Sequence, residues 1–460
     1  MSNPGDQDAT PIEGTAQLAA HLALGCKPAD GWRIGTEHEK FGFRRDDLLP
    51  PPFAPDGIEA MLSGMARGAE GQWAPINDHD ALIGLKGIGP QAGGSISLEP
   101  AGQFELSGAP LRSVHETAAE MAVHFAAVRQ VAGALGLGFA PLGFHPTAIP
   151  AQMPWMPKSR YAIMRRYMTR VGTRGLDMMQ RTCTVQVNLD YASEADMRRK
   201  LQVALSLQPV ATALFANSPF VEGQPTGLLS NRAQVWTDVD RARAGMPPVF
   251  FEEGFGFERF VDWALDVPMY FASREGGLID AAGLSFRRWM AGDEPRLAGL
   301  VATLGDFDEH LTTIFTDVRL KRFLEMRGAD AGNPAMMAAQ SALWVGLLYD
   351  EAALAAANAL VRRHPWQAYV GLRGMVPAQG LAVRWEAGTL RDLARDLVEI
   401  AAGGLRARGM IDAAGVDERC YLEPLREIAS GGPTQAEHWL SRYHGAWRQD
   451  VARIWAEAEI

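Results

Sequence analysis

The sequence predicts an α+β fold: an antiparallel sheet with a catalytic polar face, its other face covered by helices. Two observations carry that prediction. Four separate segments alternate polar and apolar side chains with the period of two that a strand imposes. Longer helical patterns lie between and after them, so the apolar face of each strand has a helix to bury against.

In chain order, Ala16 to Ala23 reads as a short helix ended by Gly25-Cys26-Lys27-Pro28. Trp32 to Phe43 is the first strong strand, with Glu37, Glu39, Phe41 and Phe43 on one side and Thr36, His38 and Lys40 on the other. Two carboxylates so placed repel by roughly 4 kcal/mol at an effective dielectric near 20. Such a face is wet, holds a protonated carboxyl, or meets a cation. Ile58 to Ala69 reads as a helix. Gly87-x-Gly89-x-x-Ala92 has the outline of a dinucleotide loop, but Pro90 interrupts it and a strand follows where a helix is required. Ser95 to Ser107 forms two extended pieces around Pro100-Ala101-Gly102, with Gln103, Glu105 and Ser107 sharing a face.

Val114 to Leu135 is an amphipathic helix and Phe139 to Phe144 a short strand. Lys158, Arg160, Arg165, Arg166, Arg170, Arg174 and Arg181 then form a basic segment, either a solvated helix face or a phosphate-handling lid. Arg181 to Tyr191 is the clearest strand, with Cys183, Val185, Val187 and Leu189 toward the core and Thr184, Gln186, Asn188 and Asp190 opposite. Helices are predicted over Glu194 to Phe215, Phe257 to Leu265 and Leu284 to Met290, and extended runs at Val267 to Phe271 and near Leu311 to Phe315. Arg319 to Arg327 repeats the strand pattern, with Glu325 and Arg327 on one face. One long helix is expected over Ala335 to Leu360, then two more over Leu390 to Arg406 and Gln435 to Ala458.

The bulk numbers narrow the function. The 460 residues are 47% hydrophobic and 21% charged, which suits a globular protein. Lys+Arg is 44 against Asp+Glu 54, a net charge of -10, so no basic surface for nucleic acid is expected. Cys26, Cys183 and Cys420 are too scattered for a disulfide framework or a cysteine zinc site, and predict a reducing, cytoplasmic setting. No apolar run approaches the ~18 residues of a membrane span. Residues 1–14 read as a disordered tail and 15–460 as a single domain.

The polar faces hold Glu37 and Glu39; Glu99, Gln103 and Glu105; Gln186 and Asn188; Glu325 and Arg327. Hard oxygen donors without cysteine select Mg2+ or Mn2+. Five carboxylates exceed the needs of one such ion, so two or three ions are expected, gripping a polyphosphate with Arg327 and the Arg160 to Arg174 group. There is no P-loop. At this level phosphoryl transfer, ligation and metal-assisted hydrolysis are all open.

Several stretches resemble the plant and proteobacterial type of glutamate–cysteine ligase. They are Trp32 to Phe43, Ser97-Leu98-Glu99-Pro100, Gln103 to Pro110, Arg181 to Asp190, Leu214 to Phe220, Asp266 to Phe271 and Glu325 to Asp330, in that order. The resemblance implies a glutamine-synthetase-like catalytic domain that uses ATP to join the glutamate γ-carboxylate to the amine of cysteine through a γ-glutamyl phosphate. A different amine acceptor, or a non-catalytic binding relative, are the alternatives. It implies Glu37, Glu39, Glu99, Glu105, Gln186 and Glu325 as metal ligands, with Glu39 and Arg327 central to catalysis. Arg327, Arg160, Arg166 and Arg174 would meet ATP. Arg232 would hold the glutamate carboxylate, with Arg181 and Asn188 as second choices, and Tyr270, Phe271 and Trp236 would wall the thiol substrate. The implied partners are small molecules, glutamate and cysteine, with no nucleic acid and no membrane, on a monomer or homodimer.

Overall fold

The computed structural model describes residues 8–68, 71–274 and 277–460. Nine strands among these residues form one sheet. They include β1 (Ile34–Arg44), β2 (Trp73–Asp78), β3 (Ala81–Gly87), β4 (Ser95–Leu98), β5 (Phe104–Ser107), β6 (Leu137–Ala140) and β7 (Thr184–Leu189). Six short strands follow, β8 (Phe220–Val221), β9 (Gln224–Pro225), β10 (Ala244–Gly245), β11 (Phe271–Arg274), β12 (Gly277–Asp280) and β13 (Phe315–Thr316), which pair among themselves outside the sheet. The last two sheet strands are β14 (Val318–Leu320) and β15 (Leu324–Asp330). The order is β14-β15-β7-β1-β5-β4-β3-β2, with β6 against the far end of β1, and every pairing in the sheet is antiparallel.

The helices that matter for the site are α1 (Thr15–Ala23), α2 (Ile58–Gly68), α3 (Val114–Ala134), α4 (Ser159–Val171), α5 (Gly175–Arg181), α6 (Glu194–Leu214), α7 (Asn231–Val235), α8 (Phe257–Ala264), α9 (Phe286–Met290), α10 (Leu304–Thr312), α11 (Pro334–Leu348), α12 (Glu351–Val361), α13 (Trp366–Gln379) and α14 (Leu390–Arg408). Helices α3, α6 and α11 lie against one face of the sheet. There Val185, Val187, Leu189, Leu324 and Met326 join the main core with side chains of α6, α11 and α14. Fully burying each such side chain contributes about 1.5–3 kcal/mol. The mixed helix and antiparallel-sheet class read from the sequence is the class observed.

β1 resolves the oddity of carboxylates and phenylalanines sharing a side. Residues 34–40 pair with β7 and β5, whereas 41–44 leave that partnership and pair with β6. Phe41 and Phe43 therefore enter a separate core with Cys183, Phe220, Trp447 and Trp455. Only Glu37 and Glu39 stay on the polar face.

Three boundaries differ from expectation. The helix expected over Ala335 to Leu360 is two, α11 and α12, because Asp350 caps α12 by accepting the Ala353 N–H at 2.8 Å. The stretch before Phe315 is helix α10, started by a reciprocal cap between Thr303 and Asp306. The closing helix is interrupted, running Gln435–His444 and again Ile454–Ala458. Of the tail read over 1–14, residues 1–7 lie outside the described residues. From Asp8 the backbone is held, with Leu304 and Gly305 donating to the carbonyls of Thr10 and Asp8. Among the described residues no helix is long and apolar enough to cross a membrane.

Candidate active site

Antiparallel register gathers the acids. Glu39 lies opposite Glu105 of β5, and Glu37 opposite Gln186 of β7. With Glu99, at the turn after β4, they line one basin, together with Arg160, Arg232, Trp236 and Arg327. Glu37, Glu39 and Glu105 are only 7, 9 and 3% exposed, so their charges are largely removed from water. Asn188 donates to Glu37 at 2.9 Å and Gln186 at 3.4 Å; the Thr184 N–H donates to Glu39 at 2.9 Å; the Ser97 hydroxyl donates to Glu105 at 3.1 Å.

These bonds do not offset the repulsion. Burial, then Glu105 and Glu99, push the Glu39 carboxyl well above its ordinary range. Burial, then Glu37 and Glu99, push Glu105 up to about 8. Two facing carboxyls held this way share a proton or call for a cation. Among the described residues no three carboxylate, imidazole or thiol side chains are grouped closely enough to hold a metal ion unaided. The donor chemistry nonetheless fits Mg2+ or Mn2+, since such ions take one or two carboxylates and fill their other positions with water and phosphate.

The opposite side of the basin is cationic. Across the β14–β15 hairpin Arg319 faces Glu325 and grips both its oxygens with bonds of 2.7, 2.7 and 3.0 Å. Arg327 also contacts Glu325 and the Gln186 side-chain amide oxygen, and Lys321 stands 3.5 Å from Glu325. Burial works to raise Glu325, but Arg319, Arg327 and Lys321 outweigh it and hold the carboxyl well below the usual range. Glu325, expected among the ligands, is fully buried, is surrounded by these three cations and does not itself line the basin. The β7–β15 register breaks between Met326 and Ala329, and Arg327, within that break, lines the basin.

Arg232 is placed by Asp330. This buried carboxylate accepts from the Ser218 and Ser230 hydroxyls (2.6 and 2.8 Å) and from the Asn217 N–H (2.9 Å). Ser230 caps α7, and the Arg232 N–H donates to Ser218 at 3.2 Å. The guanidinium donates to the Arg327 carbonyl at 2.8 Å, while its Nε and the Trp236 indole N–H are buried with no partner among the described residues. Both border a recess that continues the basin toward Phe315, Asp317 and Arg373. Unpaired buried donors of this kind await an acceptor.

Six expected site residues do not line the basin. Arg181 is spent on Asp177, Glu222 and the Ala148 carbonyl. Arg174 pairs with the same Asp177 at 2.6 Å. Arg166 is exposed and pairs with Asp280. Tyr270 is buried under Arg243, its hydroxyl 3.4 Å from the Met168 sulfur. Phe271 does not line the basin but carries the Arg160 guanidinium on its ring, 5.1 Å from the centroid. Asn188 acts only through Glu37. Conversely, Arg319, Tyr161, Met164, Met178 and Met179 line the basin and were not anticipated. Arg319 was within reach, because strand alternation across a tight hairpin puts it opposite Glu325.

Comparison with known proteins supplies the family. The chain is 49% identical over 440 residues to the chloroplastic glutamate–cysteine ligase of Brassica juncea, covering 96% of this chain and 83% of the relative. It is 50% identical over 442 residues to that of Solanum lycopersicum, covering 96% and 82%. A glutamate–cysteine ligase from Francisella tularensis, solved in complex with AMP, shares the fold with a TM-score of 0.52 at 12% identity, over 93% of this chain and 88% of that one. The cytoplasmic placement expected from cysteine usage is corrected by these relatives, which are named as plastid proteins, and a reducing setting does not discriminate between the two compartments. The model of the glutamate-cysteine ligase family 2 matches residues 33–457, and the chain belongs to that family.

Proposed function

We propose that this chain catalyses the ATP-dependent joining of glutamate to cysteine, giving γ-glutamylcysteine, the first step of glutathione synthesis. It is a ligase, as family membership across residues 33–457 and half-identity to curated glutamate–cysteine ligases require. The observation that carries the site assignment is the convergence of Glu37, Glu39, Glu99 and Glu105 on one basin with Arg160, Arg232 and Arg327. Residues 15–460 would act as one domain, and the sheet would correspond to that of glutamine-synthetase-like carboxylate–amine ligases.

Arg232 would take the carboxylate of glutamate, since its Nε lacks a partner beside the equally unpaired Trp236 N–H. Glu37, Glu39, Glu99, Glu105 and Gln186 would hold two or three Mg2+ or Mn2+ ions. When bound, these ions offset the triphosphate charge as the γ-phosphoryl group transfers. Arg327 and Arg160 would meet the phosphates, with Glu325 and Arg319 holding Arg327 in line. The glutamate γ-carboxylate oxygen attacks the γ-phosphorus, ADP leaves, and a γ-glutamyl phosphate results. The cysteine amine attacks the acyl carbon, phosphate leaves, and the amine loses its proton.

The test is the mass of the product made from ATP, glutamate and cysteine with Mg2+. Formation of γ-glutamylcysteine with one phosphate per turnover is the expected result. Phosphate release with water as the only acceptor would overturn it.

A further inference from the structure

A second cavity, of about 550 Å3, lies between α2 and α3 on the helix side of the sheet. It is separate from the basin. On β5, Leu106 borders the cavity, while its neighbour Glu105, on the opposite face of the strand, borders the basin. We infer that this cavity is a further binding site, and that it takes a small apolar molecule carrying a protonated amine, with Glu120 as the anchor.

The walls suit an apolar body. Met65 of α2, Trp73 of β2, Leu106 of β5 and Val123, Ala127 and Val131 of α3 all border the space, and Val123 is left exposed. The volume falls within the about 300–1,000 Å3 of pockets that enclose small molecules, whose linings are likewise mostly carbon with a few placed polar groups. His124 also borders the cavity, and its Nε2 is already taken by the Lys40 ammonium at 3.0 Å. Arg67 and Glu116 are exposed where they border it, and Glu116 accepts from the Arg112 N–H at 2.7 Å.

One charge interrupts the carbon lining. Glu120 of α3 is half-buried; its Oε1 accepts the Ala109 N–H at 2.8 Å, and its Oε2 accepts from no described residue. No lysine or arginine among the described residues pairs with it. Its seat is built into the chain. A Cβ on Gly108 would come within 2.3 Å of that free oxygen, and the Gly108 N–H ties the same loop to β1 by donating to the Thr36 carbonyl at 2.9 Å. Burial pushes the Glu120 carboxyl up, against the pull of the Ala109 N–H, and a neighbouring cation would restore its charge. An ammonium group meets what the site leaves open: an unclaimed carboxylate oxygen, with the indole of Trp73 in the same lining. An alcohol would gain a bond without the charge, and an acid would meet like charge.

The experiment titrates the full chain by calorimetry, near neutral pH, with phenylbutylamine, phenylbutanol and phenylbutyrate, which share one apolar body and differ in the head. The amine should bind at one site with a Kd below about 1 mM, about tenfold or more tighter than the alcohol, and the acid should bind more weakly than the alcohol. Glu120→Gln keeps an acceptor for the Ala109 N–H and removes the charge. It should bring the amine and the alcohol within about twofold of each other, with kcat/KM for cysteine within about twofold of wild type. Ala127→Trp fills the cavity and should abolish binding of all three probes; if it fails to fold, Glu120→Gln decides alone. Equal affinity of wild type for amine and alcohol, or undiminished amine binding by Glu120→Gln, would overturn the inference. So would a dimer seen by sedimentation that the alcohol dissociates as readily as the amine, which would assign the cavity to a second copy of the chain.

Discussion

The two faces of β1 are both buried and both polar, yet they behave oppositely. On the helix side, Lys40 sits among imidazoles and is inaccessible to solvent. Its ammonium donates to His38 Nδ1 at 2.9 Å, to the His38 carbonyl at 3.3 Å and to His124 Nε2 at 3.0 Å. Three donors meet three acceptors, so the group is satisfied by protein alone. Burial brings Lys40 down to about 7, with Cys183, Glu105 and Glu39 pulling the other way. On the sheet side, Glu39 and Glu105 face each other across the strand pair, and the Thr184 and Ser97 donors do not neutralise them. The lysine is matched by its neighbours, although His38 Nε2 and His124 Nδ1 are buried without a partner among the described residues; the facing carboxyls are left with unbalanced like charge and ask for a cation. What separates the two sides is unbalanced like charge, not unpaired polar atoms.

The largest effect should come from breaking the open side. Glu39→Gln should lower kcat/KM by about 10^3-fold, because it removes charge where the nucleotide and its cation must sit. The same change relieves repulsion, so urea unfolding of the metal-free variant should show stability equal to or above wild type. Breaking the closed side should do the reverse. Lys40→Ala leaves a cavity and two imidazoles without their donor, and should cost about 3 kcal/mol in urea unfolding, with far less loss of turnover per folded molecule than Glu39→Gln.

How much of this contrast was legible beforehand can be argued residue by residue. Alternation placed Glu37 and Glu39 opposite His38 and Lys40, and periodicity placed Gln186 and Asn188 on the same polar face. Register, which brings Glu105 opposite Glu39, is a tertiary fact that only the folded sheet supplies. The basic segment misled because charge alone does not say which arginines are already paired. Asp177, three residues after Arg174 and four before Arg181, was a visible warning, since such spacings face each other on a helix. The place of Met164, Met178 and Met179 at the basin was invisible, because apolar residues on α4 and α5 look like core until the sheet is placed beneath them. The family resemblance supplied the reaction; alternation and charge alone left ligation, phosphoryl transfer and hydrolysis undivided.

A pH series sharpens the comparison further. The folded protein keeps a proton on Glu105 up to about 8, while the unfolded chain releases it near the ordinary carboxyl value of 4.5. The folded state therefore binds more protons between those values. The stability this contributes is fully present below the unfolded value and is lost as pH rises through the folded one. Metal-free protein should lose about 4 kcal/mol between these limits, and Mg2+ with ATP should raise Tm more near pH 8 than near pH 6. Glu105→Gln should flatten the metal-free dependence. The smallest effect belongs outside the basin: Arg166→Ala, which breaks only the exposed pair with Asp280, should change kcat/KM by less than about twofold and stability by under about 1 kcal/mol.

The most direct measurement is Mn2+ binding in the presence of ATP, followed by electron paramagnetic resonance on wild type, Glu39→Gln and a volume-preserving Lys40→Met. The account predicts that wild type and Lys40→Met bind Mn2+ within about threefold of each other while Glu39→Gln is weakened by at least about tenfold. Equal binding by Glu39→Gln and wild type would contradict it.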